Sequence, residues 1–307
     1  MIDEQHRFGV EQRAIITKGS EYSPHLLSMS ATPIPRTLSL AIFGDLDLSL
    51  INEMPKNRKP IITKVVSPQK REMAYDFIRK EVKNGRQCFV ICPRIEPPEK
   101  DSELTKRQIF QLDIKSVKEE FEKLSNKIFP ELKVAMLHGR LKAREKNNIM
   151  SKFKNREIDI LVSTSVIEVG IDIPNATIMM IEGSERFGLA QLYQFRGRVG
   201  RGEHQSYCLL LTDAYSKTIY SRLNSIVEAK NGYELAEKDL QLRGPGQFLG
   251  EEQAGMPDIA MKALKNPSLV KNAKEEADKI LSEDPKLKKY PHLSDYLLNF
   301  KRQIHME

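Results

Sequence analysis

The sequence predicts an α/β fold, a parallel sheet with crossover helices, over about residues 59–213. Three observations lead there. Short β-rich apolar runs alternate with longer segments of helical period across that stretch. Before residue 59 there is no series of strands able to close a sheet, and after Asp213 the strand signal stops. At 307 residues, 40% hydrophobic and 30% charged, the chain can also bury one large core or two modest ones, which excludes disorder as its overall state.

Met1 to Arg58 holds a few short elements but no series of strands able to close a sheet, so it reads as the end of something larger and is expected to be partly disordered alone. The strands expected next are Pro60 to Val66, Cys88 to Cys92, Val134 to Leu137, Ile158 to Ser163, Ile178 to Ile181 and Tyr207 to Leu211. Between them, Met73, Phe77, Ile78 and Val82 share one helical stripe, and Val117, Phe121, Leu124 and Ile128 share another. Pro93 to Ser102, with Pro97-Pro98 and charged neighbours, reads as an exposed loop. Beyond the sheet, Tyr215 to Lys230 and Leu235 to Leu242 are helical in character, and a Gly-rich stretch, Gly244 to Gly255, follows. Two charged helices near Leu269 to Leu281 and Leu293 to Ile304 finish the chain, with Pro285 and Pro291 between them.

Composition removes several classes of function. No apolar run approaches the roughly 20 residues of a membrane-spanning helix, and Asp3, Glu4 and Arg7 stand where a signal peptide is apolar. The expected location is cytoplasmic. Cys88, Cys92 and Cys208 are too few for a disulfide framework and lack zinc-site spacing, so they read as core thiols. No Gly-x-Gly-x-x-Gly follows a strand, which argues against a dinucleotide-binding oxidoreductase. A net charge of +7 leans toward a polyanionic partner without establishing one.

Three segments can do chemistry. Asp3-Glu4 follows a hydrophobic stub, and paired carboxylates at a strand end can divide labour between holding magnesium and orienting a water. Alone, such a dipeptide is far more often a solvated surface pair. Gln194-Phe195-Arg196-Gly197-Arg198-Val199-Gly200-Arg201 gathers three arginines without an acid, which suits a site that receives negative charge. Arg198 and Arg201, one helical turn apart, could both reach a triphosphate, and Gly197 and Gly200 inside a helix would cost about 1 kcal/mol each relative to alanine. Ser30-Ala31-Thr32-Pro33-Ile34-Pro35 is a stiff turn rich in hydroxyls, and by itself an ordinary Pro-rich turn is the better account of it.

Their order along the chain, with Ser163 to Pro174 between, carries a resemblance. The chain resembles the C-terminal part of an ATP-dependent superfamily 2 DNA helicase, and within it the RecG family of branched-DNA helicases, beginning at the Walker B motif. Asp3 to Val10 is similar to that box, Ser30-Ala31-Thr32 to motif III, Leu137-His138-Gly139-Arg140 to a nucleic-acid-contacting segment, Ser163 to Pro174 to motif V, and Gln194 to Arg201 to motif VI. Asp239 to Gly250 resembles the helical-hairpin translocation motif that RecG shares with the transcription-repair coupling factor. Glu251-Glu252-Gln253 and Leu192-Tyr193-Gln194 look more like the coupling factor. Asp3 to His6, Gly244-Pro245-Gly246 and Cys92 to Glu96 look more like RecG.

The resemblance implies a RecA-like second helicase motor domain at 59–213. A partial first motor domain (1–58) precedes it, and a translocation hairpin (214–260) and a C-terminal helical segment (261–307) follow. It implies ATP and Mg2+ as cofactors. Asp3 would be the magnesium ligand and Glu4 the water-positioning base, while Gln5 and His6 would couple nucleotide state to motif III. Gln194, Arg198 and Arg201 would act on the transferring phosphoryl group, with Gly170 and Asp172 across the cleft. His138, Arg140, Ser163 and Thr164 would grip the DNA backbone, and Arg243 and Gln253 would serve the hairpin. The implied partners are branched DNA such as forks and Holliday junctions, the upstream motor and wedge domains, and a single-stranded-DNA-binding protein.

No glycine in this sequence is followed by lysine, so the Gly-Lys-Ser or Gly-Lys-Thr of a phosphate-cradling loop is not in it. The expectation is a fragment or truncated product, inactive as an ATPase by itself. The alternatives are a DNA-binding module without turnover and the equivalent part of a coupling-factor translocase. Elsewhere, Met179-Met180 reads as sheet core, His292 and His305 as surface side chains, and Lys286, Lys288 and Lys289 as a basic run that is solvated or touches DNA.

Overall fold

In the computed structural model the described residues are 1–3, 25, 27–30, 49, 51, 53, 55, 58–93, 117–164, 173–248 and 267–304. Two compact units divide the chain, the first formed by Met1–Pro33 with Asn52–Asp239 and the second by Ile34–Ile51 with Leu240–Glu307.

The first unit is built on six parallel strands: β3 (Ile62–Val66), β4 (Gln87–Ile91), β5 (Val134–Leu137), β6 (Ile160–Ser163), β7 (Ala176–Ile181) and β8 (Tyr207–Leu211). Their spatial order is β3-β8-β7-β4-β6-β5. Of the four inner strands, β4, β6 and β7 are buried along their whole length and β8 along all but its first residue, because helices cover both faces of the sheet. Edge strand β3 alternates in exposure instead. One core layer packs Phe89, Phe153, Met179, Leu192 and Phe195, and the other packs Tyr75, Ile78, Val90, Phe129 and Met180. A separate parallel pair, β1 (Ile2–Asp3) and β2 (Ser28–Met29), precedes the sheet.

Two strands match the sequence expectation residue for residue, β5 and β8, and the others shift by one or two residues at an end. Helix α1 (Arg71–Lys83) differs in the face it buries. Ala74, Tyr75, Ile78 and Val82 point inward, whereas Met73 is 70% exposed. The ring of Tyr75 meets the edge of Phe129 at 5.7 Å, and that pairing turns the buried arc round by one residue. The next helix, α2, is described from residue 117 and widens over Leu124–Ile128 into a π-turn, with Phe129 N bonded to the Leu124 carbonyl at 2.7 Å. The loop expected from Pro93 lies outside the described residues after its first residue.

Helix α3 (Ala143–Lys154) leads to β6, and α4 (Leu189–Arg196) runs between β7 and β8. After β8 come α5 (Lys217–Glu228) and α6 (Gly232–Phe248). Where a Gly-rich break was expected, α6 continues through Gly244-Pro245-Gly246, so its ladder forgoes the bond that proline cannot donate. In the second unit α7 (Pro267–Glu283) and α8 (Pro291–Ile304) are joined by a turn in which buried Asp284 accepts from Lys289 N at 2.6 Å. Pro291 is the first residue of α8 rather than part of the linker, a position where its missing N–H costs nothing.

Candidate functional site

Because all six strands run the same way, the sheet has one carboxyl-terminal and one amino-terminal end, and the expected site residues collect at both. At the carboxyl-terminal end, Leu137 of β5 is the register partner of Ser163 of β6. His138 and Thr164 therefore leave adjacent strands side by side. Ser163, Thr164 and His138 are all buried, and Arg140 in the turn that follows is exposed. Ser163 Oγ donates to the Thr164 carbonyl at 2.9 Å, and Cys92 N closes the neighbouring strand end onto Ser163 O at 2.9 Å. His138 Nδ1 is buried and has no hydrogen-bond partner among the described residues. Burial holds the imidazole pKa below the ordinary histidine value, and the cations Lys118, Lys146 and Arg140 add to that, with Glu145 opposing. Such a ring of cations around a neutral imidazole favours an anion as neighbour.

The segment from Gln194 to Arg201 lies at the other end of the sheet. It is not one continuous helix: α4 ends at Arg196, Gly197 caps it, and Gly200 takes φ +78°. Arg198 and Arg201 thus stand on a turn, not one helical turn apart, and the glycines carry no mid-helix cost. The conformation itself requires Gly200, since a Cβ there would sit 2.9 Å from Ile61 Cγ1 in a backbone region that L-residues rarely adopt. At Gly202 a Cβ would meet the Pro174 carbonyl oxygen at 2.8 Å, so this turn lies directly against the chain entering β7. Arg198 and Arg201 are both half-buried, and a turn of this kind can offer guanidinium and backbone groups to a phosphate.

Asp3 ends β1 beside Met29, which precedes Ser30, so the start of the carboxylate pair and the start of the hydroxyl-rich turn leave adjacent parallel strands. Glu4, Gln5, His6, Gly170, Asp172 and Gln253 lie outside the described residues, and Arg243 is placed only as a backbone position on α6. Among the described residues no cluster of His, Cys, Asp or Glu could hold a metal ion, and Asp3 is the one expected ligand among them. No helix among them is long and apolar enough to cross a membrane.

One polar constellation was not anticipated. Arg71, the first residue of α1, donates through Nη1 to both carboxylate oxygens of Glu182 at 2.8 and 2.9 Å and through Nη2 to Asp213 at 2.9 Å. Lys123 pairs with Glu120 at 3.1 Å and approaches Glu182 at 3.8 Å. These residues, with Tyr75, Cys92 and Pro93, line a cavity of about 590 Å³ at the carboxyl-terminal end of the sheet. Arg71 and Glu182 are 111 residues apart, and nothing in either local sequence announces the pair.

Comparison with known proteins identifies the family and the fold. The family described as "Helicase conserved C-terminal domain" matches residues 69–203, and "ATP-dependent DNA helicase RecG, domain 3, C-terminal" matches residues 229–302. The ATP-dependent DNA helicase RecG of Synechocystis sp. is 50% identical over 295 residues, covering 95% of this chain and 34% of its own length. That of Bacillus subtilis is 43% identical over 300 residues, covering 96% of this chain and 42% of its own. The chain belongs to the RecG family. A solved structure of RecG bound to a three-way DNA junction superimposes with a TM-score of 0.63 at 40% identity, covering 87% of this chain and 33% of that one. The sheet is accordingly the RecA-like helicase C-terminal fold. The RecG domain 3 match falls on the segment whose sequence also resembles the coupling factor, and it favours RecG there. This RecG-family chain spans between a third and a half of the length of these relatives.

Proposed function

We propose that this chain is the C-terminal portion of an ATP-dependent branched-DNA helicase or translocase that acts in recombination and repair in the cytoplasm. The observation that carries the reading is the use of both ends of one sheet. His138, Ser163 and Thr164 sit side by side at the carboxyl-terminal end, and the Arg198–Arg201 turn is packed against Ile61 and Pro174 at the other. A motor needs two such stations, one gripping a phosphate backbone without reading sequence and one meeting a nucleotide.

In this reading residues 1–58 complete the first motor domain, 59–213 form the second, 214–260 the translocation hairpin and 261–307 the C-terminal helices. ATP with magnesium supplies the phosphoryl transfer that drives the cycle. Asp3 holds the metal and Glu4 orients water, with Gln5 and His6 passing the nucleotide state to the Ser30 turn. Gln194, Arg198 and Arg201 stabilise developing charge, and Gly170 and Asp172 line the same cleft. His138, Arg140, Ser163 and Thr164 hold phosphates, while Arg243 and Gln253 act at the duplex. The partners are forks and Holliday junctions, the upstream motor and wedge domains, and a single-stranded-DNA-binding protein.

The purified chain, which has no Gly-Lys-Ser or Gly-Lys-Thr loop, is expected to bind DNA with an affinity that falls steeply with salt and to show no DNA-stimulated ATP hydrolysis. Adding a separately made upstream motor half restores hydrolysis. Binding that is unchanged between low and moderate salt, or a mixture that stays inactive, would sink this reading.

A further inference from the structure

The Arg198–Arg201 turn is seated on two sides. On one, Gly200 lies against Ile61, Gln205 Nε2 donates to the Pro60 carbonyl at 2.7 Å, and Ile62 N donates to the Ser206 carbonyl at 2.9 Å. On the other, Gly202, the residue after Arg201, is so near Pro174 that a Cβ would meet the Pro174 carbonyl oxygen at 2.8 Å and Pro174 Cβ at 3.3 Å. Segments packed this closely transmit any displacement of one to the other. Where the arginines stand therefore depends on where Pro174 stands.

The sheet ladder does not settle that position. At their amino-terminal ends β4 and β7 slip register: Gln87 pairs with Ala176 but Cys88 pairs with Ile178, which leaves Thr177 as an extra residue. A bulge of this kind is uncommon between parallel strands and loosens the hold of the ladder on the chain that enters it. Thr177 Oγ1 is buried there without a hydrogen-bond partner among the described residues.

Two side-chain amides hold the entry instead. Asn175 Nδ2 donates to the Gly85 carbonyl and to Gln87 Oε1, both at 3.0 Å, and Asn175 Oδ1 accepts from Arg86 Nη1 at 3.3 Å. The Asn175 carbonyl accepts from Gln87 N at 3.2 Å. Gln87 is 2% exposed, and its Nε2 donates to the carbonyls of Phe153 in α3, at 2.6 Å, and Ile158 ahead of β6, at 2.7 Å. Both Gln87 amide hydrogens and its oxygen are thus used inside the protein. A buried amide satisfied in this way holds one geometry, because any shift leaves a donor or an acceptor stranded away from water. Through Gln87, Asn175 is tied to α3 and to the approach to β6 as well as to β4.

We propose that Asn175 and Gln87 form an amide mount that sets the Arg198–Arg201 turn where phosphoryl transfer needs its guanidinium groups. They are positioning residues that act through Pro174 and Gly202, not catalytic residues. The proposal rests on the motor reading above and adds to it the residues that place its arginines.

The test uses the complete RecG-type protein and measures DNA-stimulated ATP hydrolysis and DNA affinity on the same preparations, below the melting temperature of every variant. Asn175→Ala is expected to lower kcat about tenfold or more, with KM for ATP and DNA affinity each changing less than about threefold, because misplaced arginines are missed chiefly in the transition state. In an Arg201→Ala background the same substitution should lower the remaining kcat less than about twofold, since the group it positions is already gone. If Asn175→Ala melts early, Asn175→Asp carries the comparison: it keeps the shape and the acceptor for Arg86 but loses both Nδ2 donations. No loss of kcat, a loss that falls on DNA affinity instead, or a loss by the same factor with and without Arg201 overturns the mount. A wild-type protein with no DNA-stimulated hydrolysis, or Arg201→Ala turning over at the wild-type rate, instead overturns the motor reading itself.

Discussion

Replacing Arg71 by alanine is the sharpest test of how the sheet domain is held together. The Glu182 side chain is 9% exposed and receives two bonds from one guanidinium nitrogen, at 2.8 and 2.9 Å. Stranding one partner of a buried pair costs about 3–5 kcal/mol, chiefly because the remaining charge has lost its water and gained nothing in return. Lys123 stays within 3.8 Å of Glu182 and offsets part of that cost, which places the loss near the lower end, about 3 kcal/mol. Asp213 adds little, since its side chain is 73% exposed and simply rehydrates. For a domain of this size about 3 kcal/mol corresponds to a melting temperature lower by roughly 6–12 °C, read by circular dichroism. Glu182→Gln alone leaves Arg71 with Asp213 and Tyr75 and costs about 1–2 kcal/mol. The double variant Arg71→Ala/Glu182→Gln strands no charge, so it should be about as stable as, or more stable than, Arg71→Ala. Simple addition of the two single losses would refute the buried-pair account.

Gly200→Ala should cost about 2–4 kcal/mol, combining a left-handed backbone with the 2.9 Å approach to Ile61, whereas Gly85→Ala at φ +80° meets nothing within 4 Å and should cost about 1 kcal/mol. Equal losses in urea unfolding would show that the Ile61 contact yields freely. Burial, then the like charge of Glu182, raises the Glu120 pKa above its ordinary value against the opposing Lys123 and Arg71. A raised folded value means that stability from this group is fully present below the ordinary glutamate pKa of about 4.3 and is lost as pH climbs through the folded one. Glu120→Gln should therefore flatten the fall in stability above that pH, and an unchanged slope in pH-dependent melting would count against the burial. Cys88, Cys92 and Cys208 are at most 1% exposed and burial pushes their thiols up, Cys208 to about 12. Iodoacetamide should leave the native chain unlabelled at mildly alkaline pH and modify all three in denaturant, and mass spectrometry showing labelled native protein would contradict that packing.

How far the sequence could be read differs from element to element, for physical reasons. β5 and β8 match their expected limits because apolar runs of their length fit a strand and are bounded by turn-forming neighbours. The face of α1 did not follow, since Met73 and Tyr75 are equally plausible by periodicity and only the ring of Phe129 decides between them. In the Gln194–Arg201 segment the residue types raised the expectation of a phosphate-facing site. They did not announce that α4 stops at Arg196, because a glycine is compatible with both a helix interior and a left-handed cap until Ile61 closes the space above Gly200. The same limit hid the bond from Arg196 Nη1 to the Ile226 carbonyl, 30 residues away.

The sequence by itself determined the alternating α/β pattern, the buried thiols and the ordered motifs that tie this chain to the RecG family, since each depends on residue type and local spacing. Tertiary structure alone decided the strand order, the pairing of Leu137 with Ser163 that sets His138 beside Thr164, and the Arg71–Glu182 pair. Those depend on which strands become neighbours. That is settled by burying all the apolar runs at once, and no single stretch of chain encodes it.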